Sequence, residues 1–359
     1  MSNARKLADN LPTEGPLTGR NMVINGDMRI DQRNEGSAVS AHATNLFPVD
    51  RFRCTESTGG SVSMQRVQDA PTGFYYSLKF TVTGTDTSLT GTEYVRALHP
   101  IEGSNIGHLN WGTSNAKTCT LSFYVKSSVA GQYYVNIFNG SANRIIVKGY
   151  TIDAANTWER KIISVAGDTS GSWSTSTAAG IYIGWHQGTG PDYIVSSTDT
   201  WGGTFDMVGA NQVNLLATNG ATWQLTGVQF EEGENNATPF EHEPYSVALA
   251  KCQRYTFVHQ TDSDYDWAAL SGYCNTTTNA LSFYQFPVRM RASPTLTTSG
   301  SFQILDGFTS YTVSSSSLSQ SSPLSARVDV ASSGLTVGRH IAVRNLGDSG
   351  AKLIFSAEL

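Results

Sequence analysis

The sequence predicts an all-β chain: a jelly-roll β-sandwich, then a linking α-helix and a second, smaller β-sandwich, with a short helix at the N-terminus. Three observations predict it. Charged residues make up only 15% of the 359, against about 25% in ordinary soluble proteins. Hydroxyls take their place: Ser and Thr together number 80, beside 34 Gly and 15 each of Tyr and Phe, a mixture of strand formers and turn residues. Finally, apolar and polar residues alternate over run after run, while helical spacing is confined to two short segments.

The first segment is one of those two. Ala4, Leu7, Ala8 and Leu11 recur at i, i+3, i+4 and i+7, one apolar stripe that Pro12 ends. So short a helix is marginal alone in water, which leaves a frayed terminus or an anchoring peptide. Residues 21–240 then read as strands: MVINGDMRI, RFRC, SVSMQRV, YSLKFTVTG, CTLSFYVKSS, GQYYVNIFNG, NRIIVKGYTI, WERKIISVAG, AAGIYIGWHQG, QVNLLAT and ATWQLTGVQFEEG. Leu121, Phe123 and Val125 share one face, as do Tyr133, Val135 and Ile137, and Ile181, Ile183 and Trp185. Trp158 and Trp223 lie on strand patterns and are assigned to the core.

A helix is expected over Tyr245–Tyr255, within a junction at 241–255. Pro244 suits its first turn, Glu241 and Glu243 its positive end, and Lys251 and Arg254 its negative end. The second β region, 256–359, supplies AALSGYCNT, ALSFYQFPV, TLTTSGSFQIL, TSYTVSSSS, SARVDVASS, HIAVRNLG and KLIFSAEL. The serine-rich Ser314–Ser325 stretch reads as a wide loop or an edge strand.

Charge and targeting signals narrow the function. A net charge of −5 argues against a nucleic-acid partner, which needs a cationic footprint. No apolar run approaches the ~20 residues of a membrane span, and Met1–Arg20 lacks an apolar signal-peptide core. Synthesis in a cytoplasm without classical secretion is expected. Cys54, Cys119, Cys252 and Cys274 are widely spaced and are read as buried free thiols.

The segment GVQFEEGENNATPFEHEPYSVALAKCQRY, Gly227–Tyr255, resembles a junction of tail-fibre and other virion structural proteins of tailed bacteriophages. There a last sandwich strand with Gln-Leu-Glu leads through Ala-Thr-Pro-Phe-Glu to a helix ending Cys-Gln-Arg-Tyr. Here Gln229-Phe230-Glu231 replaces the first element, while Ala237–Glu241 and Cys252–Tyr255 match directly. GRNMVINGDMRIDQR resembles that family's opening strand, VDRF its next landmark, and FPVRMRASPTL and Ala357-Glu358-Leu359 its C-terminal landmarks. TLSFYVKSSVAGQYYVNI and TWERKIISV resemble carbohydrate-binding jelly rolls. The resemblance implies a virion tail-fibre or adhesin subunit, often a homotrimer. Its N-terminus, with the stripe of Ala4, Leu7, Ala8 and Leu11, would be fixed to tail or baseplate proteins, and its distal domains would face host-surface glycans.

No G-x-S-x-G, P-loop or H-E-x-x-H is present, and Pro244 after His242-Glu243 excludes the helix a zinc-protease motif needs. The expectation is a non-enzymatic chain. The alternatives are a polysaccharide depolymerase using two of Asp192, Asp199 and Asp206, and a purely structural collar or baseplate protein. No cofactor or metal is expected. Relatives of the jelly-roll type hold calcium between their first and last strands; Asp27 could serve, but Leu225-Thr226-Gly227 stands where they carry an Asp pair. Sugar binding is the remaining chemistry, because flat rings take sugar C–H faces while amides and hydroxyls take the hydroxyls. Its candidates are Tyr182 and His186, opposite the core face of their strand, Tyr193 and Trp201 in a Gly/Ser/Thr-rich loop, and Trp111 beside Asn110 and Asn115. Plain packing under a loop is the other role open to each.

Overall fold

The computed structural model describes residues 19–40, 46–234, 237–307 and 309–359. Ala4, Leu7, Ala8 and Leu11 lie outside the described residues. The chain divides into two compact units, the first running to Pro244 and including Leu359, the second spanning Tyr245–Glu358.

The first unit is built from β1 (Val39–Ser40), β2 (Leu46–Val49), β3 (Phe52–Ser57), β4 (Ser61–Val67), β5 (Ser77–Gly84), β6 (Tyr94–Glu102), β7 (Cys119–Ser127), β8 (Gly131–Asn139), β9 (Ile145–Ile152), β10 (Glu159–Val165), β11 (Ala179–Thr189) and β12 (Thr222–Glu232). They form two six-stranded antiparallel sheets, ordered β1-β4-β5-β12-β7-β10 and β2-β3-β6-β11-β8-β9. Side chains from both inner faces make one core, with Phe80, Phe123, Trp223 and Phe230 from the first sheet and Phe52, Tyr133 and Trp185 from the second. This is the β-sandwich that the alternation predicts: Leu121, Phe123 and Val125, and Ile181, Ile183 and Trp185, all point inward and are fully buried.

Three expectations are corrected in this unit. Met22–Ile30 is not a strand but a run of turns. Asn25 and Met28 adopt left-handed φ, and the Asn25 amide donates to the carbonyls of Ile30 and Asp50 while its oxygen accepts from the Ile30 amide. At Gly26 a Cβ would sit 2.1 Å from the Val228 carbonyl oxygen, so only glycine lets this turn lie against β12. QVNLLAT is likewise no strand. Asn214 caps a 3-10 turn, Leu215–Ala217, by accepting from the Leu216 amide. Trp158 precedes β10 and is part-exposed, with the Lys126 ammonium 5.1 Å from its ring. The sequence reading also missed β6, because Pro100 lies within it. The Pro100 carbonyl accepts from the Arg51 guanidinium, on the side where pairing with β3 stops at Arg53↔Leu98. The nitrogen that has no hydrogen therefore faces no partner strand.

The Ala237–Glu241 junction closes this unit with polar contacts. The Glu231 carboxylate accepts from the Thr238 amide at 2.9 Å and its hydroxyl at 2.6 Å. The Gln229 side chain accepts from the Glu241 amide at 2.8 Å. Glu241, assigned by sequence to the helix dipole, instead accepts from the amides of Gly19 and Asn21.

The second unit opens with α1 (Tyr245–Gln253), two residues shorter than Tyr245–Tyr255, with Pro244 just outside it. Then follow β13 (Thr256–Gln260), β14 (Trp267–Cys274), β15 (Asn279–Gln285), β16 (Thr295–Ser299), β17 (Phe302–Leu305), β18 (Ser310–Thr312), β19 (Ser315–Ser321), β20 (Ser325–Ala331), β21 (His340–Asn345) and β22 (Lys352–Ser356). A three-stranded sheet, β13-β22-β16, and a seven-stranded sheet, β18-β17-β21-β14-β15-β20-β19, enclose a core around Phe355, Leu353, Val328, Ile304 and Ile341. TLTTSGSFQIL is two strands, broken at Gly300 with φ 79°. The serine-rich stretch is the edge strand β19. All four cysteines are buried free thiols.

Candidate functional site

The five sugar-binding candidates fall into two groups in the first unit. Trp111 and Trp201 meet Trp173 in a three-indole cage, with centroids 4.7 and 5.4 Å apart around Trp111 and rings close to perpendicular. Each indole N–H donates to a backbone carbonyl, those of Lys117, Ser170 and Ala166. Trp111 is only 6% exposed, so the cage turns its faces on itself and pins three loops.

Tyr182, His186 and Tyr193 lie on the outer face of the second sheet. The chain after β11 folds back over that face. Met207 and Val208 are buried there against Leu98, Tyr134, Phe138, Ile145 and Val147. Asn136 and Tyr134 hold the covering segment by donating to the carbonyls of Asp206 and Ala210. Tyr182 stacks on Phe138 at 5.0 Å, and Tyr193 packs edge-on against Tyr94 and Phe205. Both remain part-exposed, whereas His186 is 1% exposed and its Nε2 pairs with Asn136 Oδ1 at 3.1 Å. Burial, with the Arg96 charge beside it, drives the His186 pKa well below the ordinary value.

His99 behaves alike: it is fully buried, and burial together with the Arg51 charge pushes its pKa well down. The unfolded chain therefore takes up protons near pH 6.5 that the folded chain refuses. Their contribution is complete above about pH 6.5 and fades as pH falls, each histidine approaching about 1.4 kcal/mol per pH unit. Urea midpoints at pH 7 and pH 5 should show His186→Gln losing less on acidification than the parent; an equal loss would show that His186 takes no part.

Of the carboxylates considered for hydrolysis, Asp192 and Asp206 lie on segments that run side by side, bridged at Ile194 and Val208. Asp199 pairs with Lys148 at 2.7 Å; burial pushes its carboxyl up, but the Lys148 and Thr198 hydrogen bonds outweigh it and hold the pKa low. Asp206 is raised by burial. Asp27 is engaged by Arg29. No group of three or more potential metal ligands occurs among the described residues, and none of the described helices is long and apolar enough to cross a membrane.

Another exposed aromatic surface among the described residues lies on the outer face of the seven-stranded sheet. Ala280, Ser282 and Tyr284 of β15 point to the core, leaving Leu281, Phe283 and Gln285 outward. Tyr273 of β14 pairs with Leu281 and lies near Phe283, with centroids 6.4 Å apart and planes inclined by 28°. Trp267, Leu270, Tyr273 and Phe283 are 40%, 78%, 42% and 47% exposed. A ring of polar groups borders them. Arg344 lies 5.8 Å from the Trp267 ring, and Arg327, Ser319 and Asp329 form a hydrogen-bonded triad. A cavity of about 320 Å³ opens beside Phe283, lined by Gln320, Ser321, Ser322, Ser325 and Arg327. Four large apolar side chains on central strands, left uncovered and edged by hydrogen-bonding groups, make a candidate binding surface. Sequence reasoning missed it, although ALSFYQF carried a signal: both alternating sets, Ala280/Ser282/Tyr284 and Leu281/Phe283, hold large apolar residues, so neither face reads as plain solvent.

No family model and no curated protein matches the chain. Among solved structures it is similar to the enzymatically active domain of tailspike protein 4 of bacteriophage CBA120. The identity is 12% and the TM-score 0.33, covering 59% of this chain and 21% of that one, so the match spans about a fifth of the tailspike structure. It is also similar to a family 4 carbohydrate-binding module (15% identity, TM-score 0.32, 58% of this chain and 99% of that one). A third is a family 11 carbohydrate-binding module of a Clostridium thermocellum cellulase (14%, 0.28, 55% and 95%).

Proposed function

We propose that this chain is a non-enzymatic, glycan-binding subunit of a bacteriophage tail fibre. In this reading it is made in the host cytoplasm, fixed to the tail or baseplate by its N-terminal segment and assembled as a homotrimer. The surface that meets the host glycan is the outer face of the seven-stranded sheet. The observation that carries the reading is the uncovered Trp267–Tyr273–Phe283 surface with its polar border. Flat rings suit sugar C–H faces, and the Arg327, Ser319 and Asp329 groups suit hydroxyls. The tail-fibre assignment is supported by the Ala237–Glu241 and Cys252–Tyr255 pattern, whose residues build the closure of the first unit and the helix that opens the second.

The test is binding of the purified chain to bacterial surface polysaccharides, followed by affinity electrophoresis. The double change Trp267→Ala/Phe283→Ala should weaken retention at least tenfold, about 1.4 kcal/mol, with an unchanged melting temperature. Unchanged retention would refute this surface as the contact. Light scattering should give three times the chain mass, and a clean monomer at micromolar concentration would refute the trimer. New reducing ends released from any polysaccharide would make the chain a depolymerase instead.

A further inference from the structure

The outer face of the second sheet in the first unit holds a cation without an anion. Arg96 of β6 is 8% exposed. Among the described residues no carboxylate pairs with it, and its Nε and Nη1 have no hydrogen-bond partner. Across the ladder it stands directly opposite His186 on one side and Thr55 on the other. His186 Nδ1 also lacks a partner, as does the Nε of Arg53, two residues from Thr55 on β3. Arg53 spends Nη1 on the Leu359 oxygen at 3.4 Å, so of the two guanidinium groups on this face it is Arg96 that has no acid beside it.

A buried arginine cannot relieve this by losing its proton, because guanidinium stays charged in proteins. Nor is the charge cheap to leave alone, since isolated buried ions are strongly disfavoured. Ring faces offset part of it: the Arg96 guanidinium carbon lies 4.8 Å from the Tyr94 centroid and 5.8 Å from that of Phe205, and Arg53 lies 5.6 Å from Tyr182. Those contacts act on the flat face of the guanidinium and leave the in-plane N–H groups at Nε and Nη1 free. The opposite case occurs in the same unit. Arg144 spends Nε and Nη2 on Asp168, both at 2.7 Å.

We propose that Arg96, with Arg53 beside it, forms a binding site for the carboxylate of an acidic sugar unit. The anionic oxygens would take the free N–H groups of Arg96. The part-exposed rings of Tyr94, Tyr182 and Phe205 would take the apolar face of the sugar, which is why a sugar acid suits the site better than a bare anion. This rests on the reading of the chain as glycan-binding but places a second, charge-selective contact on the other unit.

The experiment titrates the full chain, at constant ionic strength, with glucuronate, galacturonate and N-acetylneuraminate, and with glucose and inorganic phosphate as controls, by calorimetry. At least one sugar acid should bind tenfold or more tighter than either control. Arg96→Met should remove that preference. If that variant does not fold, Arg53→Gln should reduce the preference at least threefold. Sugar acids no tighter than glucose, phosphate as tight as the best sugar acid, or a folded Arg96→Met variant with the parent preference would each overturn the proposal. The Trp267→Ala/Phe283→Ala variant should keep the full sugar-acid signal, so failure of this site and failure of the aromatic surface are read separately.

Discussion

Arg144→Leu should be among the most damaging single changes to the first unit, costing about 3–5 kcal/mol. Asp168, the partner of Arg144, has a side chain only 1% exposed. The guanidinium grips both carboxylate oxygens at 2.7 Å, and this hydrogen bonding raises the pKa of Arg144 further. Asp168 also orders its own loop: Oδ1 accepts from the Ser170 amide, and its carbonyl accepts from Gly112. Removing the arginine strands a buried carboxylate, and breaking such a pair from one side costs about 3–5 kcal/mol. At about 2–4 °C per kcal/mol for a unit of this size, the first unit's transition should fall by roughly 10 °C in a thermal melt. Adding Asp168→Leu should recover much of that loss, because replacing both partners of a buried pair is often close to neutral. A single variant that melts within about 1 °C of the parent would show that water reaches Asp168.

How much was legible in the sequence follows from which forces are local. Strands such as β7, β8 and β11 could be read because one face is buried, and burial fixes a period of two on Leu121, Phe123 and Val125. The same rule misread Met22–Ile30. Alternation was present there, but Asn25-Gly26 places the backbone in a left-handed turn that hugs β12, and the partner that demands it lies some 200 residues away. β6 was missed for the converse reason: Pro100 argues against a strand unless the missing neighbour on that side is known. The candidate site was less legible than the fold. Trp111 and Trp201 sit in loops rich in Asn, Gly, Ser and Thr, which sequence alone reads as surface, and only the fold brings Trp173 between them. In the second unit, no periodicity could tell which of two apolar faces of β15 meets a second sheet and which is left bare.

Trp111→Ala separates the two tryptophan environments. Trp111 touches Trp173, Trp201 and Phe230, with centroids at 4.7, 5.4 and 6.2 Å, and its N–H donates to Lys117 at 2.7 Å. Truncation removes a buried indole, leaves a cavity between loops that cannot readily collapse, and strips the Lys117 carbonyl of its donor. Deletions of this kind cost about 3–5 kcal/mol. Trp201→Ala should cost less, since that ring is part-exposed. Neither change touches the face of the seven-stranded sheet, so the folded fraction of each variant should bind polysaccharide as the parent does. Trp267→Ala should give the reverse pattern, weak binding with normal stability, because a ring 40% exposed has little packing to lose. Urea titration and affinity electrophoresis on the three variants supply both readings. A Trp111→Ala chain of parental stability that no longer binds glycan would move the contact surface from the second unit to the indole cage.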